Sequence, residues 1–386
     1  MIDFSVPEET LQVIETVRRF IESELRPAEQ IVDEHESVPR DLARSIRDKA
    51  RALGLYAMDM PVSVGGGGLS TIDMCLVEEQ FGWTSDVLVR RAFGAVPATL
   101  MSCSDSQREK YLLPAVAGDI IVAFAMSEAG AGSDAAGIKT IAMRDGDDYI
   151  LNGSKHFISD ANVADAFMVT ALTDPGKGHR GISLFLVDRD AEGVTVGREQ
   201  RLMGLHGLSH CELFFNNVRL SQGQRLGEEG EGMALALGTG NRQRLRAVAA
   251  RAVGTASRLL QMSLDYANER KQFGTEIASF QMIQAMLADM AVDIYAARSM
   301  VLNAAWEVDQ GREPRAKISM VKLFASEMLG RVADKAVQIF GGMGYCSEMP
   351  VERLYRDARV QRILDGTSEI HRIAVARDLL KRGLSI

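Results

Sequence analysis

Apolar residues recur every three or four positions through the first third of the chain. Leu11, Ile14, Val17 and Phe20 mark one stripe, and Leu42, Ile46, Ala50 and Leu53 mark another. That spacing puts each set on one face of a 3.6-residue helix and predicts a helical block from about Pro7 to Val116. "PVSVGGGGLS" at 61–70 interrupts it. Lacking the Lys-Ser/Thr pair of a phosphate loop, these glycines read as a turn ahead of a helix starting near Ser70. Near residue 120 the period changes. "IIVAFAMSE", "IKTIAMRDGDDYILNG", "ISLFLVDR" and "CELFFNNVRL" are short runs rich in β-formers, with "DGDD" as a hairpin turn. After "GEEGEGM" the helical period returns and persists to the end. The expected fold is mainly α with a central β-domain: helices over 1–120, strands over 121–225, helices over 226–386.

Composition changes this picture little. A chain of 386 residues exceeds the usual size of one core, which agrees with several packed domains. At 46% hydrophobic and 25% charged residues the balance is globular, and a net charge of −8 argues against a nucleic-acid partner, which needs a concentrated basic surface. Cys75, Cys103, Cys211 and Cys346 form no C-x-x-C pair, so a reducing cytoplasm and no structural zinc are expected. His206 and His210 lie four apart where a loop enters a strand, which argues against a metal site. The N-terminus lacks a basic start followed by an apolar core, so no signal peptide is expected. No apolar run reaches the length of about 18 residues that a membrane span needs, and no membrane partner is expected.

Five stretches carry candidate chemistry, each with a plain structural reading beside it. In "AFAMSEAGAGSDAAG", Gly130, Gly132 and Ala135 satisfy G-x-G-x-x-A after an apolar strand. A dinucleotide fold needs a helix next, whereas the following residues alternate as strands. The stretch is therefore a loop at the edge of the β-domain, either a turn or a cofactor loop offering N–H groups and the hydroxyls of Ser127 and Ser133. In "NGSKHFISDA", Phe157 and Ser159 share one strand face, as a core aromatic with a solvated hydroxyl or as a pair that covers a planar ring. "ANERKQFGTEIASFQ" puts Arg270 and Phe273 on one helix face, with Gly274 ending the helix before Gln281; the arginine is a solvated charge or a pyrophosphate clamp. "AVQIFGGMGY" ends a helix at Gly341 and Gly342, which cap it or admit a ligand close to the backbone. In "RILDGTSEI", Asp365 before Gly366 is a capped helix end or a base held where a substrate arrives.

Taken in order, "SEAGAGSD", "NGSKHFIS", "ERKQFG…FQ", "AVQIFGGMGY" and "RDARVQRILDGTSEIHR" resemble the acyl-CoA dehydrogenase family over essentially the whole chain. The resemblance implies an N-terminal helical domain, a middle β-barrel and a C-terminal four-helix bundle. It also implies a homotetramer with FAD between the β-domain and the C-terminal helices, its adenosine end reaching a neighbouring subunit. Phe124, Met126, Ser127, Gly132 and Ser133 match the loop at the flavin's pyrimidine edge, and Ser133 also the CoA portion. Phe157 and Ser159 match the pair over the ring near its reactive nitrogen. Arg270, Phe273 and Gln281, with Gln338, Gly341 and Gly342, match contacts given to the neighbour's cofactor, and Thr367 and Glu369 the final flavin contacts.

Asp365 stands where many members of that family carry a glutamate base. The implied reaction removes the α-proton of a CoA thioester while the β-hydrogen passes to the flavin, giving a trans-2-enoyl-CoA. The N–H of Asp365 would hold the thioester oxygen, and Gly366 would let the substrate lie against the backbone. Burial is expected to raise the pKa of this base. A second base position of the family falls on Arg244, and Leu245 stands where arginine is usual, so Arg242, Arg244 or Arg246 is expected to supply that charge, with Arg244 as a substrate contact. Ala129 replaces a common proline. The implied oxidant is an electron-transfer flavoprotein. The alternatives are a flavin oxidase of acyl-CoA or nitroalkane oxidase type, and a flavin-binding scaffold without turnover.

Overall fold

The protein is described by a computed structural model that covers residues 5–238 and 240–383. The N-terminal third is helical: α1 (Glu8–Phe20), α2 (Glu29–His35), α3 (Arg40–Ala52), α4 (Thr71–Phe81), α5 (Asp86–Phe93) and the short α6 (Asp105–Gln107) and α7 (Leu113–Ala117). Ile14, Val17, Phe20, Ile46 and Ala50 are buried as the stripes require, whereas Leu11 and Leu53 remain exposed. Leu53 falls past the last turn of α3, and so past the face that the period defines. Ser70 caps α4, its Oγ accepting the Asp73 N–H at 3.1 Å. Nearly every side of α4 is buried, because it lies between the first helices and the C-terminal bundle.

The β-domain holds β1 (Val122–Ala125), β2 (Ile141–Asp145), β3 (Asp148–Ser159), β4 (Ala166–Leu172), β5 (Ile182–Asp188), β6 (Val194–Glu199), β7 (His210–Leu220) and β8 (Arg225–Leu226). They form one sheet in the order β6-β7-β3-β2-β4-β5-β8, with β1 running parallel beside β4. Two apolar layers cover it. Tyr149, Phe167, Phe185 and Leu213 belong to one, while Met168, Leu184 and Leu186 pack with Leu100, Tyr111 and Leu112 of the N-terminal helices. Lys155, wholly buried, donates to Met126 O (3.1 Å) and to Glu128 Oε1 (2.8 Å), and so pins the glycine-rich loop to β3.

The C-terminal region contains α8 (Gly232–Gly238), α9 (Gly240–Gln243), a π-type segment over Arg244–Ala250, α10 (Arg251–Glu269), α11 (Gln281–Asp309), α12 (Arg315–Phe340), α13 (Pro350–Val360) and α14 (Ser368–Arg382). Helix α12 runs through the middle of its core, contributing Ile318, Val321, Ala325, Met328 and Val332. At Gly254 a Cβ would lie 1.9 Å from Glu79 O, so only glycine lets α10 approach α4 this closely. Glu29 of α2, buried, accepts from Arg258 of α10 (2.9 and 2.8 Å) and from Arg353 of α13 (2.6 Å), which ties the first helices to the bundle.

One local expectation is corrected here. Helix α10 stops at Glu269, and 270–276 is a hairpin of β9 (Lys271–Gln272) and β10 (Thr275–Glu276). Phe273 (φ 52°) and Gly274 (φ 83°) form its two-residue turn, so Arg270 and Phe273 share no helix face. Left-handed φ at both central residues suits the twist of a hairpin and forbids the helix that the i, i+3 spacing suggested.

Candidate active site

Between α13 and α14 the chain makes a turn that places Asp365 (φ 53°) and Gly366 (φ 97°) in the left-handed region. Aspartate tolerates that conformation better than most residues, and at Gly366 a Cβ would also lie 3.0 Å from His371 Nε2. Thr367 then caps α14, its Oγ1 accepting the Ile370 N–H at 3.3 Å. The two turn carbonyls are held from behind. Arg244 Nε donates to Asp365 O at 2.7 Å, His371 Nε2 donates to the same oxygen at 3.2 Å, and Lys322 Nζ donates to Gly366 O at 2.7 Å. The carboxylate and the N–H of Asp365 have no hydrogen-bond partner among the described residues.

The electrostatics of this turn are unusual. Burial pushes the Asp365 carboxyl above its ordinary range, while Arg244, Lys322 and Arg90 pull it back. Asp365 is nonetheless reachable by solvent. An exposed carboxylate with no partner is open to a ligand that arrives from solvent. Burial lowers Lys322 to about 8 and His371 to about 4, so the imidazole is neutral at pH 7. Arg244 is also lowered by burial, and its other bond goes to Asn241 Oδ1 at 3.0 Å rather than to a carboxylate.

A second wall comes from the β-domain. Phe157 is exposed at the end of β3, held at φ 59° by a bulge between Lys155 and Ile158. Phe157, within the bulge, and Ser159, past it, flank buried Ile158 and are both more open to solvent than it. Phe157 borders a cavity of about 430 Å³ lined also by Arg198, Gln200 and Arg201, and Gln200 Oε1 is buried there without a partner. Ser159 Oγ lies 3.1 Å from His210 Nε2, whose Nδ1 donates to Leu208 O at 3.2 Å. Phe124 and Met126 are half-buried, the Ser127 carbonyl accepts the His156 N–H at 2.8 Å, and Gly132 and Ser133 lie exposed in the loop beyond. Next to Ser159, buried Asp160 accepts from Arg90 (2.8 and 2.5 Å) and Arg91 (2.7 Å). Arg90 thus ties α5 to the end of β3 through Asp160, and its charge also lowers the pKa of Asp365.

The chain matches family models described as "Acyl-CoA dehydrogenase, N-terminal domain" over residues 7–119, "middle domain" over 123–218 and "C-terminal domain" over 230–380. The chain belongs to the acyl-CoA dehydrogenase family. Among its relatives is the caffeyl-CoA reductase–Etf complex subunit CarC of Acetobacterium woodii, 39% identical over 97% of this chain and 99% of that one. Butyryl-CoA dehydrogenase from Megasphaera elsdenii has the same fold, with a TM-score of 0.90 and 33% identity over 98% of this chain and 100% of the other. A FAD complex of PigA superposes with a TM-score of 0.91 at 30% identity, over 99% and 100% of the two chains.

Within this family member the structure separates three arginines that the sequence left equivalent. Leu245 is buried in the bundle core, Arg246 pairs with Asp59 at 2.9 Å, and Arg242 is exposed. Of the three, Arg244 is the one that reaches the Asp365 turn. Arg270, Phe273, Gln281, Gln338, Gly341 and Gly342 lie together at the far end of the bundle, where Tyr266 stacks on Phe340 at 4.2 Å. All six are exposed, and Glu369 is exposed near Arg372. Sequence reasoning missed Arg90, Asp160, Lys155, Lys322 and His371. A lysine inside the apolar face of α12, between Val321 and Leu323, was the readable signal for Lys322.

Proposed function

We propose that this chain removes hydrogen from the α and β carbons of an acyl-CoA thioester to give the trans-2-enoyl-CoA, with FAD as cofactor and Asp365 as the base. What carries the reading is the Asp365 carboxylate: unpartnered, exposed to solvent, and set on a turn whose carbonyls are held by Arg244, His371 and Lys322. The residues of that wall fit a flavin. An exposed aromatic, an adjacent hydroxyl, the unpaired Gln200 Oε1 and the open glycine loop suit a planar heterocycle with polar edges. When bound, FAD supplies the acceptor for the β-hydrogen and its electron pair.

The chain's own residues do the rest. Asp365 Oδ takes the α-proton, and its raised pKa brings the base closer to the acidity of the proton it removes. The free Asp365 N–H points its donor at the thioester oxygen, where negative charge develops. Arg244 and Lys322 hold the turn carbonyls, which fixes that N–H in place. Arg270, Phe273, Gln281, Gln338, Gly341 and Gly342 serve the cofactor of a neighbouring subunit in a cytoplasmic homotetramer, a role supported by the near-complete exposure of Phe273 (97%). An electron-transfer flavoprotein is the oxidant, as the name of the CarC relative suggests. Anaerobic titration of the yellow holoprotein with a series of acyl-CoA esters tests the reading. Bleaching of the flavin with formation of enoyl-CoA is expected; a holoprotein that no acyl-CoA bleaches would refute it.

A further inference from the structure

The two histidines that lie four apart in the sequence are separated in the fold. His206 meets Arg356, its Nε2 lying 3.2 Å from Nη1, whereas His210 opens β7 directly opposite Ser159, the last residue of β3. Residues paired across an antiparallel ladder put their side chains on one face, and here Ser159 Oγ and His210 Nε2 stand 3.1 Å apart. The proposed reaction gives His210 no task.

Which of these two atoms holds the shared proton follows from the other side of the ring. Nδ1 lies 3.2 Å from Leu208 O, and a carbonyl oxygen only accepts, so Nδ1 carries a hydrogen. Burial lowers the His210 pKa, with Arg90 adding to the effect and Leu208 O, Asp160 and Asp86 opposing it, so the ring is neutral at pH 7. A neutral imidazole with its hydrogen on Nδ1 has only a lone pair at Nε2. The Ser159 O–H therefore donates to His210, and its one hydrogen is engaged inside the protein. On its open side, next to exposed Phe157, half-buried Ser159 is left with lone pairs alone.

We propose that His210 is a positioning residue that fixes the Ser159 hydroxyl as an acceptor toward bound flavin and so favours the reduced ring. The inference rests on the flavin reading above, with Ser159 beside the reactive nitrogen N5. Oxidised flavin offers a lone pair at N5, which an acceptor repels, and reduced flavin carries an N–H there, which an acceptor holds. Without His210 the hydroxyl is free to turn, donate to the oxidised ring and stabilise that form instead. In the bland alternative the pair only ties the end of β3 to the start of β7.

The midpoint potential of bound FAD, measured by anaerobic reduction of the holoprotein against a reference dye, separates the two. His210→Ala is expected to shift the two-electron equilibrium about tenfold toward the oxidised form, a fall of about 30 mV. The same substitution made on Ser159→Ala is expected to shift it by less than about twofold, since no hydroxyl remains to turn. A merely structural tie would lower the melting temperature and leave the potential where it was. FAD content and melting temperature show whether each variant is folded, and His210→Phe, which keeps the bulk of the ring, replaces His210→Ala if it is not. A shift toward the oxidised form of less than about threefold with Ser159 present, or an equal shift in both backgrounds, would overturn the inference and leave the proposed reaction intact. Loss of FAD from both His210 variants would do the same. A wild-type protein that takes up no FAD would overturn both.

Discussion

At Asp365 two demands meet, a left-handed backbone and a carboxylate that stays free. The first restricts the neighbour as well. Gly366→Ala must accept φ 97° and a Cβ 3.0 Å from His371, and is expected to cost about 1–3 kcal/mol, read as a lower melting temperature. The second demand has a pH signature. Because burial holds the Asp365 pKa above its ordinary range, the reactive ionised form accumulates only as pH rises past that range. The rate constant for flavin reduction should therefore climb along an acid limb lying above the usual aspartate value. Lys322→Met, by removing a cation that pulls the pKa down, should shift this limb to higher pH. Stability should move the other way. A carboxylate whose folded pKa is raised weighs against the fold once pH exceeds the unfolded value, so Asp365→Asn should melt higher than wild type near neutrality, and the difference should vanish in acid. The local motif around Asp365 was legible in the sequence because all its parts are adjacent. Lys322 was not, because it arrives from α12 and meets the turn only in space.

Among the elements, α2, α10 and α13 depend on one buried carboxylate. Burial alone would raise the pKa of Glu29, but Arg258 and Arg353 more than offset it, leaving it below the ordinary range. Such a group stabilises the fold fully above its unfolded pKa, and the contribution disappears as pH falls through the folded one. Glu29→Gln leaves the buried Arg258 guanidinium uncompensated and Arg353 with Asp33 as its remaining carboxylate, and should cost about 3–5 kcal/mol at pH 7, with the gap to wild type closing in acid. Thermal melts across pH check both the size and the direction. Element boundaries were readable where a cap announced them, as Ser70 does for α4. They were not readable at Arg270–Glu276, because a Phe-Gly turn with both residues at positive φ runs against the preference for Asn-Gly or Asp-Gly that marks a hairpin in sequence.

For the whole molecule, the change from helical to alternating period near residue 120, and back after 230, was enough to anticipate helices, sheet, helices. It could not show how the parts close on one another, since α4 and the Arg90–Asp160 pair owe their positions to contacts far apart in sequence. Nor did it show how much apolar surface the chain leaves uncovered. Phe273, Tyr345, Tyr295 and Met282 are 97%, 87%, 77% and 76% exposed, which a lone subunit would rarely tolerate. The native mass in solution should be a multiple of the subunit mass, and Phe273→Asp should weaken both assembly and FAD retention; light scattering and flavin content measure the two.

The central claim is that Asp365 accepts the α-proton. Rapid mixing of Asp365→Ala holoprotein with an acyl-CoA that bleaches the wild type, without oxygen, puts it to the test. FAD should remain bound, and the first-order rate of flavin reduction should fall by about a thousandfold. Reduction of the variant within about tenfold of the wild-type rate would contradict the account.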